Sequence, residues 1–412
     1  MIVLAGADIV LPDQIIPSGS LAIRNGVIED VLPTGAARTE WTVIDLSGHT
    51  IVPGFVDVHV HGLEGIDVLD GPDAVAGVAA RLPRHGVTAF CPTSIACAPD
   101  RLSRFLEAVA RARSNGVATS ARVLPAHLES NFINPEFNGA QPLSCLRSPV
   151  APAAPVASAA SASAREGGPA AFSGDDILRV IAMHRASVGI VTLAPELPGG
   201  MDLVRDLVKH GHRVSLGHTG ATYDEARAAI GAGARHATHL FNRMSLMTSR
   251  APGVAGAVLE SNLVTAEIIC DGHHVHPALV STAIRVKSPS RVIAITDGTA
   301  AAGLPAGSRA RLGDQTIIAG DRTALLEDGT LAGSILTMDG AFRMLRGLGW
   351  TLPEVARMCA TTPAEALGLR DTGAIAPGNA ADLVVFDAEF KVRQTYIGGE
   401  PAFQGRVPRS QG

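Results

Sequence analysis

The stretch PGFVDVHVHG, residues 53–62, decides how the rest of this chain is read. It is short, apolar and rich in Val and Phe, as a strand buried on both faces should be. Residues two apart on a strand face the same side, so His59 and His61 point together. Two imidazoles on one side of a strand end, followed by a glycine, can hold a metal ion. A His-x-His pair alone is a weak signal, because satisfied or exposed histidines also occur in this pattern. It gains weight here because several later apolar runs also end in polar, ligand-type residues.

Working outward, further strand candidates lie at 87–93, 121–128, 189–195, 212–217, 235–240, 265–270 and 291–296, with the first at 54–60. Amphipathic helical stretches follow several of them, such as DRLSRFLEAVARARSNG at 100–116 and DEARAAIGAGA at 224–234. Strands alternating with helices predict an α/β protein built on a TIM-like (β/α)8 barrel. An open doubly wound sheet is the alternative, but no Gly-x-Gly-x-x-Gly turn follows the first strand. Residues 1–52 contain short β-like runs broken by Gly, Pro and Asn-Gly, and 381–400 shows the same habit. The expected organisation is a barrel over 53–371 and a small composite β-sandwich domain from 1–52 and 372–412. An Ala/Ser/Pro-rich stretch at 148–172, SPVAPAAPVASAASASAREGGPAAF, has no apolar face to bury. It reads as a flexible insert near 144–175, either a plain floppy loop or a substrate lid.

Barrel active sites sit at the C-terminal ends of the strands. Those ends carry His59 and His61, then Glu129 in HLE, His218 in GHTGAT, His239 in THLFN and Asp297 in TDG. Imidazole nitrogen and carboxylate oxygen suit a divalent metal, Zn²⁺ above all, with Fe²⁺, Mn²⁺ or Co²⁺ as alternatives. Asp297 is placed to relay a proton from an attacking water to a leaving nitrogen, its bland alternative being a helix N-cap. One of His273, His274 and His276 can polarise a carbonyl. His127 reads as a supporting partner and His236 as a core or surface residue; His85, His184, His210 and His212 look incidental, and His49 belongs with the small sheet domain. The lysines are Lys209, Lys287 and Lys391, none placed to bridge metals from strand four. Glu129 is therefore expected to supply the bridging or central carboxylate.

Composition removes other classes. The 412 residues are 46% hydrophobic and 18% charged, with a formal charge of −5 and no dense basic stretch, which argues against nucleic acid. The five cysteines are scattered without a Cys-x-x-Cys, suggesting free thiols in a reducing, cytoplasmic setting. The N-terminus alternates like a strand rather than a signal peptide, and no breaker-free apolar run is long enough to cross a membrane.

The ordered motifs resemble the amidohydrolase superfamily, and within it the N-acetylglucosamine-6-phosphate deacetylases. They run from PGFVDVHVHG through HLESNFINPEFNGAQP, TLAPE, SLGHTGATYDEA, THLFNRM, RAPGVAGAVLE, DGHHVHP and TDGTAAAG to LAGSILTMDGA and GAIAPGNAADLVVFD. The resemblance implies hydrolysis of an N-acetyl group from an amino sugar phosphate, with another N-acetylated hexosamine or N-acyl amine as the alternative. It implies Glu129, His218 and His239 as principal metal ligands, and His59 and His61 as a pair for a second ion. Asp297 resembles the catalytic acid/base and His274 the carbonyl-polarising group. Asn242 and Arg243 fall where the family contacts the sugar phosphate, and Arg250 matches an arginine reaching the partner subunit's substrate, so a homodimer is implied; a surface salt bridge is its alternative role. Ser130-Asn131 replaces the usual Gly-Pro, Gln141 replaces a substrate-facing histidine, and Arg243 stands where a small residue is common.

Overall fold

The computed structural model describes residues 2–33, 41–150 and 172–405, so most of the Ala/Ser/Pro-rich stretch lies outside the described residues. Eight parallel strands form the barrel: β1 (Phe55–Val60), β2 (Val87–Ser94), β3 (Ala126–Glu129), β4 (Val188–Leu193), β5 (Arg213–Leu216), β6 (His236–Ala237), β7 (Thr265–Ile269) and β8 (Val292–Ile295). They pair in chain order, and a parallel bridge from Val60 to Gly298 joins β8 back to β1. Every residue of β1 is buried, which is why its apolar run shows no polar face. Val56, Val58, Ala89, Ile190, Ile269, Ile293 and Ile295 fill part of the interior as one cluster, so the barrel is packed rather than hollow.

The β-sandwich domain draws on both ends of the chain. Its sheet runs in the order Glu400–Gln404, Val392–Ile397, Leu383–Phe386, Thr50–Pro53, Ile2–Val10, Ile15–Arg24 and Val27–Leu32, with Thr42–Asp45 also on Ile2–Val10. Leu4, Ile9, Leu21, Ile51, Leu383 and Val385 form its separate core. Gly54 alone separates the strand Thr50–Pro53 from β1. A Cβ there would lie 2.4 Å from Thr88 Cγ2, so only glycine lets this junction press against β2.

Among the described residues two antiparallel pieces depart from the expected alternation, a short pairing of Gly62–Leu63 with Ile66–Asp67 after β1 and a larger one after β8. After β8 the chain makes a three-stranded antiparallel excursion, Arg309–Leu312, Gln315–Ala319 and Ala324–Leu326. Its first hairpin turns at Gly313-Asp314, with Gly313 at φ +59°, between alternating runs. That Gly-Asp is a readable hairpin signal.

Candidate metal centre

The ligand-type residues converge because each barrel strand delivers its last residues to one rim. His59 sits inside the end of β1, His61 just past it, and Glu129 closes β3. His218, His239 and Asp297 each lie two residues beyond their strands, with φ of +48°, +31° and +49°. Left-handed backbone in a non-glycine residue costs about 1–3 kcal/mol and persists where the surroundings over-determine it. Here it ends the strand and turns the side chain over the barrel mouth. Closure of the barrel helps hold it, since Asp297 N donates to His59 O at 3.0 Å and His61 N to Gly298 O at 2.8 Å.

Glu129 stands at the centre. Its Oε1 lies 3.0 Å from His218 Nε2, 2.9 Å from His239 Nε2 and 3.6 Å from His59 Nε2. Its Oε2 lies 3.5 Å from His61 Nε2. The Nε2 atoms of His59 and His61 are 3.2 Å apart, and those of His218 and His239 are 3.0 Å apart. Asp297 Oδ1 is 3.3 Å from His59 Nε2 and 3.2 Å from His61 Nε2. Glu129 thus belongs to two overlapping ligand groups, one with His59 and His61, the other with His218 and His239.

The outer ring nitrogens explain why those inner nitrogens suit a cation. His59 Nδ1 meets Glu267 Oε2 at 2.9 Å, His61 Nδ1 meets Thr93 O at 3.0 Å, and His218 Nδ1 meets Phe137 O at 2.7 Å. Each partner only accepts, so each Nδ1 carries a proton and each Nε2 is the nitrogen aimed inward, open to a metal that displaces its proton. Paired lone pairs at about 3 Å repel one another unless something positive lies between them. The donor set fits a divalent metal of the Zn²⁺ type.

Charge points the same way. Glu129, Glu267 and Asp297 are buried, and among the described residues no Lys or Arg pairs with any of them. Burial works against a charged His59, yet Asp297, Glu267 and Glu129 raise its imidazole to about 10. Burial pushes the Glu129 carboxyl up, but His218 and His239 hold it well below the usual carboxylate range. These carboxylates attract whatever positive charge reaches them. His127 behaves oppositely: burial lowers it to about 3, and Val58 O and Thr192 Oγ1 occupy its two nitrogens at 3.0 and 2.7 Å.

A small cavity, open on one side, rests on this cluster. His61, Glu129, Gln141, His218, His239, Asn242, Arg243, His274 and Asp297 line it. Of the three nearby histidines, His274 faces the cavity while His273 and His276 are exposed. His274 Nδ1 meets Asp271 Oδ2 at 2.6 Å, and Asp271 Oδ1 also accepts from the backbone N of His273 and His274. Gln141 instead bridges two parts of the chain: its amide nitrogen donates to Glu129 Oε2 and its amide oxygen accepts from Ala96 N at 2.8 Å. Arg250 is exposed and lies outside the cavity lining. His236 proves a core residue, bonded to Glu267 Oε1 at 2.8 Å.

Three features escape a reading of strand ends. Glu267 is hidden inside the apolar run TAEII of β7, where one acidic residue looks like ordinary alternation. Asp271, three residues before His274, signals its role only through that short spacing. Leu312 in the excursion after β8, and Leu331 and Gly333 just beyond it, reach the cavity and carry no chemical mark.

Residues 50–405 match the amidohydrolase family model. The chain is 32% identical over 387 residues to the N-acetylgalactosamine-6-phosphate deacetylase of Escherichia coli O157:H7, covering 93% of this chain and 94% of the relative. It is 34% identical over 355 residues to the N-acetylglucosamine-6-phosphate deacetylase of Lysinibacillus sphaericus, covering 86% and 85%. Among solved structures, a mutant N-acetyl-D-glucosamine-6-phosphate deacetylase of Mycobacterium smegmatis, in complex with N-acetyl-D-glucosamine-6-phosphate, superposes with a TM-score of 0.84. That match has 31% identity and covers 98% of this chain and 99% of the other.

Proposed function

The chain belongs to the amidohydrolase family, and from that premise we propose that it removes the N-acetyl group of N-acetylglucosamine 6-phosphate, giving glucosamine 6-phosphate and acetate. The observation that carries this reading is the convergence of four inward imidazoles, Glu129 and Asp297 on one cavity floor. The cofactor is a divalent metal, which we assign as Zn²⁺ from its nitrogen and carboxylate donors, with Fe²⁺, Mn²⁺ and Co²⁺ as competitors. Glu129, His218 and His239 would hold the first ion, while His59 and His61 with Glu129 would offer a second position. A cation bound there supplies Lewis acidity to the acetamide carbonyl and acidifies a water.

The chain's own groups do the rest. Asp297 accepts the proton of the attacking water and returns it to the leaving nitrogen. Asp271 ties up His274 Nδ1, leaving Nε2 as the ring nitrogen available to donate to the carbonyl oxygen as negative charge develops. Arg243 stands at the cavity wall with a charged planar fork suited to a phosphate, and Asn242 lies beside it. Arg250 is assigned to the phosphate of a partner subunit's substrate. Leu246 and Met247, 83% and 50% exposed in the same loop, support a homodimer through this face. The unpaired cysteines support a cytoplasmic setting.

A second reading, the 4-epimer N-acetylgalactosamine 6-phosphate, is favoured by the similarity to the Escherichia coli deacetylase that carries that name. Acetate release from N-acetylglucosamine and N-acetylgalactosamine, each with and without 6-phosphate, separates the two. The expected result is fastest turnover of N-acetylglucosamine 6-phosphate, with loss of the phosphate raising KM at least tenfold. Equal rates with and without phosphate would remove the roles of Arg243 and Arg250.

A further inference from the structure

We propose that Glu267, on β7 beneath the cavity floor, is a positioning residue that fixes His59 for metal binding and thereby sets the affinity of the second ion. The inference rests on the metal-dependent reading above and concerns one residue that no ligand motif contains.

Glu267 is fully buried and makes no contact with solvent. Its Oε2 accepts from His59 Nδ1 at 2.9 Å, and its Oε1 accepts from His236 Nε2 at 2.8 Å. The backbone N of His239 approaches Oε2 at 3.3 Å, tying Glu267 to the loop that carries a first-ion ligand. An isolated buried carboxylate is strongly disfavoured, so such a group stays charged only where donors surround it. Here two imidazole N–H groups and a backbone amide do so. His236 is fixed in turn, its Nδ1 meeting Thr265 Oγ1 at 3.0 Å.

Glu267 also forms a ligand-like group with His59 and His127, but that trio does not hold an ion of its own. His127 Nδ1 faces the Val58 carbonyl at 3.0 Å, so its proton lies there and no lone pair is left for a metal. His59 Nδ1 is likewise the protonated nitrogen. Glu267 therefore acts through His59. By holding the Nδ1 proton it leaves Nε2 as the donor, and its charge makes that nitrogen more basic.

The effect should be local. His59 belongs to the group with His61, whereas His218 Nδ1 donates to Phe137 O, and the Nδ1 of His239 has no partner among the described residues. Weakening Glu267 should loosen the second ion and leave the first in place.

The test is titration of metal-free protein with Co²⁺, following visible absorbance and bound metal by equilibrium dialysis, for wild type, Glu267→Gln and His236→Gln. Glu267→Gln keeps the shape but removes the charge. Its second Co²⁺ should bind about 10- to 100-fold more weakly, with the first unchanged. His236→Gln leaves the Glu267–His59 bond intact and should retain the wild-type second affinity. A generally damaged core would weaken both ions in both variants, and that result would overturn the proposal. So would a Glu267→Gln protein with two wild-type affinities. Wild type that binds two ions but releases no acetate from any amino sugar would sink the deacetylase reading and leave this inference standing.

Discussion

Asp297 Oδ1 sits 3.3 and 3.2 Å from the inward nitrogens of His59 and His61, within reach of both a ligand's role and a proton carrier's. Burial pushes its carboxyl up, but His59 and His61 hold it below its ordinary value, so it is ionised across the neutral range. Asp297→Asn should cut kcat by at least about 10³-fold, with bound metal unchanged by elemental analysis. Loss of metal in that variant would recast Asp297 as a ligand. At this scale the sequence was readable where chemistry sits at a strand end, as with Glu129, His218 and His239. Glu267 escaped because its neighbours in TAEII are an ordinary buried strand, and only the fold brings His59 against it. Gln141 looked like a residue facing a substrate; its amide bond to Glu129 depends on the path of a loop that no local pattern fixes.

Elements place these residues, and the helix Met338–Gly347 shows how one is anchored. Asp339 in its first turn accepts from Arg343 Nη1 at 2.7 Å and meets His85 Nδ1 at 3.3 Å, pinning the helix to the segment just before β2. Burial raises the Asp339 carboxyl, but His85, Thr337 and Arg343 hold it well below its ordinary value. A carboxyl depressed on folding stabilises the protein above its unfolded value near 3.9, and that contribution fades as pH falls toward the folded value. Asp339→Asn should therefore cost about 2 kcal/mol at pH 7. In urea unfolding the gap to wild type should narrow below pH 4; a gap constant with pH would refute the assignment. Strand positions were legible from buried apolar runs, though β6 is only His236–Ala237, shorter than its apolar run because the chain turns at His239. His85 looked incidental because its partner lies 254 positions away.

At the scale of the molecule, Glu129, Glu267 and Asp297, buried and with no Lys or Arg partner among the described residues, make the barrel rim dependent on bound positive charge. Ligand binding to the folded state at a thousandfold excess over Kd contributes about 4 kcal/mol. Chelation should then lower Tm by roughly 5 °C or more, and metal added back should restore it; an unchanged Tm would mean the rim is balanced by protonated histidines alone. The barrel and the two-ended sandwich could be read from alternation and from the matching β-rich ends. The excursion at 309–326 could not be read from helix–strand alternation, because it interrupts that pattern after the final barrel strand. The sandwich has a further consequence during synthesis on the ribosome. Thr50–Pro53 pairs antiparallel with Leu383–Phe386, so the nascent chain carries an apolar strand with one unsatisfied edge until residue 386 has emerged. The whole barrel is translated before that edge is covered, and the early protein should depend on chaperones to keep it from pairing with another copy.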